Sequence, residues 1–91
     1  MQQQIHVNIT TGQMVRLNDL APNRAFLRYL RPRLLALVDT DSLPPPDTSP
    51  GLKHHRVSIR LEPREAKRLR KWSAKHGVSI AAAVRGIITS A

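Results

Sequence analysis

Residues 56 to 91, RVSIRLEPREAKRLRKWSAKHGVSIAAAVRGIITSA, place one short alternating strand, a basic helix, a Gly turn and an apolar helix within 36 positions. Val57, Ile59 and Leu61 fall on one face of the strand, and Arg56, Ser58 and Arg60 on the other. Such a strand has no partner inside its own segment, and two short helices cannot enclose a core. The pattern therefore predicts a homodimer whose second copy supplies both.

The helix signals are local and physical. Glu62 precedes Pro63, a favoured first helical residue, and Glu65 lies in the first turn, where the helix dipole suits an anion. Ala66, Leu69, Trp72, Ser73 and His76 then recur at three- or four-residue steps, and Gly77 suits a left-handed C-terminal cap. Ser79 is a strong N-cap for a second helix, in which Ile80, Ala83, Val84, Ile87 and Ile88 form a continuous apolar stripe. Gly86 either permits close helix crossing or has no special role. The expected dimer core is Val57, Ile59, Leu61, Leu69, Trp72, Ile80, Val84, Ile87 and Ile88, with Trp72 serving packing rather than base stacking.

Charge is distributed unevenly. Residues 1 to 50 carry five Arg against four Asp, whereas residues 51 to 91 carry ten Lys or Arg against two Glu, most of the net +9. That density is compatible with a solvated helix face and equally with phosphate neutralisation on nucleic acid. There is no Cys, which excludes disulfides and thiolate metal sites. His54 and His55 are neighbours in an extended stretch and so point to opposite faces, and His76 is distant, so no metal site is expected. Ser79 has no base beside it, and there are no paired carboxylates and no phosphate-binding Gly loop, so neither an enzyme nor a cofactor is expected. No apolar run approaches a membrane span, and MQQQIHVNITTG lacks the blocks of a signal peptide; no membrane partner and a cytoplasmic location are expected.

The first half is harder to read. Ile5, Val7 and Ile9 alternate with polar residues as in a short strand, and Thr11-Gly12 suits a turn toward Met14 to Leu17, giving a hairpin. Residues 23 to 38 carry Phe26, Leu27, Leu30, Leu34, Leu35, Leu37 and Val38 at roughly helical spacing, with Pro32 expected to break the helix. LPPPDTSPG, residues 43 to 51, has four Pro in nine positions and reads as a semi-rigid linker. The expected organisation is an N-terminal extension over 1 to 42, a linker over 43 to 52 and a compact unit over 53 to 91. The extension is either disordered or ordered on its own dimer or a protein partner.

In order and length, V-S-I-R-L, P-R-E-A-K-R-L-R-K-W, H-G-V-S and the stripe from Ile80 to Ile88 resemble the ribbon-helix-helix DNA-binding proteins of the MetJ/Arc superfamily, including CopG-like repressors. The resemblance covers about 36 of 91 residues. It implies a mostly α fold with one short strand per chain, intertwined as a homodimer through an intermolecular antiparallel ribbon that enters the major groove. Arg56, Ser58 and Arg60 then match the base-reading positions, and Ser79 with Ile80 the phosphate-gripping start of the second helix. Lys53, His54 and His55 either extend the basic approach to DNA, with Lys53 and His55 at phosphates, or are flexible flanking residues. The alternative for Arg56 and Arg60 is that they are edge charges that block unwanted strand pairing. The implied function is a transcriptional repressor or autoregulator from a bacterium, phage or plasmid, binding double-stranded DNA as a dimer or stacked dimers. The alternative is a DNA-binding adaptor whose first half binds protein, as in an antitoxin, a partition protein or a relaxosome accessory protein.

Overall fold

The computed structural model describes residues 3 to 47 and 51 to 91, the side chain of Arg24 excepted. Part of the expected linker, residues 48 to 50, lies outside the described residues.

The elements run β1 (Gln3–Ile9), α1 (Thr11–Leu20), a 3-10 turn (Pro22–Arg24), α2 (Phe26–Thr40), β2 (His55–Leu61), α3 (Pro63–His76) and α4 (Ile80–Ser90). Strand, helix, helix therefore occurs twice. β1 and β2 pair antiparallel in one two-stranded sheet, from Gln3 opposite Leu61 through His6 opposite Ser58 to Ile9 opposite His55. The partner missing from the 56 to 91 segment is thus supplied by residues 3 to 9 of the same chain. β2 is therefore paired within the chain, and the fold is mostly helical with one two-stranded antiparallel sheet.

The first half also departs from the hairpin expectation. Thr10 Oγ1 accepts the Gln13 N–H at 3.1 Å, and Gln13 Oε1 accepts the Thr10 N–H at 3.0 Å. This reciprocal capping box starts a helix where Thr11-Gly12 had suggested a turn, and Met14 to Leu17 lie inside α1 rather than in a strand. Pro32 does not divide the next helix: α2 runs from Phe26 to Thr40, with Pro32 on its exposed side, where water can serve the carbonyl left without a donor. α2 ends on Asp41 in the left-handed region at φ 52°, with Ser42 N–H closing onto Leu37 O at 3.0 Å. α3 ends in the same manner on Gly77 at φ 64°, with Val78 N–H on Ser73 O at 3.1 Å.

The two strand-helix-helix units are interleaved. α2 packs on β2 and α4 on β1, while α1 packs against α4 and α2 against α3. One apolar cluster results, drawn from Val7, Ile9, Leu17, Leu30 and Leu34 in the first unit and Val57, Ile59, Leu61, Leu69, Trp72, Val84, Ile87 and Ile88 in the second. Residues expected as a dimer core are therefore buried within one chain; Ile80, also assigned there, is half-buried at the cluster's margin. The residues expected as an extension supply one strand and two helices of this shared core. The chain leading into the Pro-rich stretch is packed as well, as is Pro45 within it: Trp72 Nε1–H donates to Ser42 O at 2.9 Å, and the Pro45 carbonyl lies against Gly86.

Candidate nucleic-acid interface

The outward face of the ribbon follows from strand alternation. With Val57, Ile59 and Leu61 turned into the core, Arg56, Ser58 and Arg60 are exposed, as expected. β1 does the same: Val7 and Ile9 are buried and Ile5 partly so, leaving Gln4, His6 and Asn8 exposed. The register places Gln4 beside Arg60, His6 beside Ser58 and Asn8 beside Arg56. Across the centre, His6 Nδ1 and Ser58 Oγ are 2.9 Å apart.

This face holds six polar side chains, two of them guanidinium groups, and no carboxylate. From Gln4 to Asn8 it is about 13 Å long at roughly 3.3 Å per residue. Gln4, His6 and Asn8 are not among the contact residues expected from the sequence, because the I-x-V-x-I alternation also fits one arm of a hairpin. The usable signal was the same outward polar, inward apolar pattern found in V-S-I-R-L.

Ion pairs sharpen the electrostatics. Arg31 Nη2 donates to both Glu65 carboxylate oxygens at 2.8 and 2.9 Å, Asp39 pairs with Arg68, Asp41 with Lys75 and His76, and Asp47 with Arg85 at 2.7 Å. The Arg31 guanidinium, with the Glu62 N–H, holds the Glu65 carboxyl below its ordinary range. Hydrogen bonds from Lys75 and then His76 do the same for Asp41. Four of the six carboxylates are thus held in ion pairs between described residues, while Arg56 and Arg60 enter none among them.

The other expected contact residues are more dispersed. Ser79 is exposed and its Oγ accepts the Ala82 N–H at 3.0 Å, so the cap role is in place, with the first-turn N–H groups of α4 beside it. Lys53 is exposed. His55 is half-buried at the start of β2, its Nε2 3.1 Å from Thr11 Oγ1, which ties it to the beginning of α1. No group of three or more His, Asp or Glu able to hold a metal occurs among the described residues. No helix among them is long and apolar enough to cross a membrane.

Comparison with protein-family models, with curated proteins and with solved structures finds no match to this chain.

Proposed function

We propose that this chain is a sequence-specific double-stranded DNA-binding protein of ribbon-helix-helix type, with both ribbon strands contributed by one polypeptide. The observation that carries the reading is the six-residue outward face of β1 and β2, which is polar, basic and free of carboxylates. A major groove about 12 Å wide admits a two-stranded ribbon, and the residue types on this one match base edges: Arg for guanine, Asn and Gln for adenine, Ser for several bases. Phosphate contacts come from the first-turn N–H groups of α4 at Ser79 and Ile80 and from Lys53. Binding over a promoter blocks transcription without any further domain, which suits a repressor or autoregulator. With ribbon and core both supplied by one polypeptide, a single chain can serve as one complete reader.

Fluorescence anisotropy against random and selected duplexes tests the reading. Affinity should fall steeply as salt rises, since each neutralised phosphate releases counterion. Arg60→Ala should relax the preference at one base position by about 1–3 kcal/mol. A salt-independent affinity, or no binding to duplex DNA at low salt, would remove DNA as the partner.

A further inference from the structure

The ribbon is symmetric in backbone and asymmetric in chemistry. Because His6 and Ser58 face each other at the centre of an antiparallel pair, a local two-fold axis passes between them and exchanges position i of β1 with position i + 52 of β2. The inward residues obey it: Ile5 matches Val57, Val7 matches Ile59 and Ile9 matches Leu61, apolar with apolar. The outward residues do not. Gln4 is exchanged with Arg56, His6 with Ser58, and Asn8 with Arg60, so an amide stands on one strand where a guanidinium stands on the other.

A palindromic DNA site presents the same base edge at both members of each dyad-related pair of positions. A guanidinium is best satisfied by guanine O6 and N7, and a carboxamide by adenine N7 and N6. Any palindrome therefore leaves one member of each outer pair facing the wrong base. We infer that the preferred target of this chain is a non-palindromic duplex, with guanines opposite Arg56 and Arg60 and adenines, at the dyad-related positions, opposite Gln4 and Asn8. The inference rests on the DNA-binding reading above and deepens it. It also explains a use for linking the two units in one polypeptide. Two identical chains cannot present different side chains at dyad-related positions, whereas residues 4 to 8 and 56 to 60 of one chain differ freely.

The test is selection from a random duplex library with the full chain, compared with the variant Gln4→Arg/His6→Ser/Asn8→Arg, which gives β1 the same outward triplet as β2. All three positions are exposed, so circular dichroism should show the fold unchanged. The wild-type consensus should lack a dyad, and that of the triple variant should become palindromic. A palindromic wild-type consensus would overturn the inference and leave DNA binding intact. Failure of the wild type to enrich any duplex would instead overturn the DNA reading itself, and this inference with it. Should the triple variant fold poorly, Asn8→Ala decides on the selected site. Loss on the order of ten- to a hundredfold that disappears when one adenine is replaced supports the inference, and an equal loss on every sequence overturns it.

Discussion

At Gly86, a Cβ would lie 1.9 Å from the Pro45 carbonyl oxygen and 2.9 Å from its carbon. Helix propensity alone favours Ala over Gly by up to about 1 kcal/mol in a helix interior. Here backbone opposes backbone, and neither the buried middle of α4 nor a chain segment rich in Pro yields easily. Gly86→Ala should therefore destabilise by about 1–3 kcal/mol, the usual range for overpacking, read as a lower urea midpoint. A higher midpoint would show that the 43 to 47 segment leaves α4 readily. The sequence left Gly86 ambiguous because the group that requires it is far upstream in the chain. Gln13 is a similar case: 2% exposed, it donates from Nε2 to Asp47 Oδ1 at 2.9 Å and Thr89 Oγ1 at 3.1 Å while its oxygen caps Thr10. Gln13→Leu keeps the bulk and removes these buried hydrogen bonds, so a loss of about 1–3 kcal/mol is expected in thermal unfolding.

Among elements, the second unit was legible from its residues and the first was not. The strand face, the Pro63 start, the Gly77 cap, the Ser79 cap and the α4 stripe all lie where local rules put them. In the first unit the same devices appear in other residues. Thr10 with Gln13 does what Glu62 with Glu65 does, the latter closing through a 2.9 Å bond from Glu62 N–H to Glu65 Oε1. Asp41 ends α2 where Gly77 ends α3. Leu17 and Leu69 fill matching core positions 52 residues apart, the strand offset, but the second helices match only at a different offset, with Leu30 and Leu34 against Val84 and Ile88. The repeat is conserved in role while the identities and the turn length differ, which hides it from a scan for identical residues. The outward triplets of the candidate site differ likewise: R-S-R stands in a segment that local rules define, whereas Q-H-N stands in an alternation that equally fits half of a hairpin. Since each unit's second helix covers the other unit's strand, neither half should fold alone. A fragment of residues 51 to 91 should show little cooperative helix by circular dichroism, and a fragment of residues 1 to 50 should restore it. A cooperatively folded 51 to 91 fragment indifferent to that addition would show that the halves are independent.

Across the whole molecule, every ion pair between described residues joins the first unit or its following segment to the second: Arg31 to Glu65, Asp39 to Arg68, Asp41 to Lys75 and His76, and Asp47 to Arg85. In a chain of net charge +9 these bridges also offset self-repulsion between the halves. Individually they are modest, since surface pairs are screened by water and salt. Their common placement makes acid the condition that loads the junction. Glu65 and Asp41 are held below their ordinary values of 4.5 and 3.8 in the folded chain, so the unfolded chain takes up their protons first on acidification. Their contribution is therefore complete above those ordinary values and is lost as the pH falls through the lowered ones. The urea midpoint should hold level near neutrality and drop below about pH 4.5. In Arg31→Met the Glu65 carboxyl returns toward its ordinary value, so the acid limb should become shallower. An unchanged limb in that variant would place the acid sensitivity elsewhere than at the α2 to α3 junction.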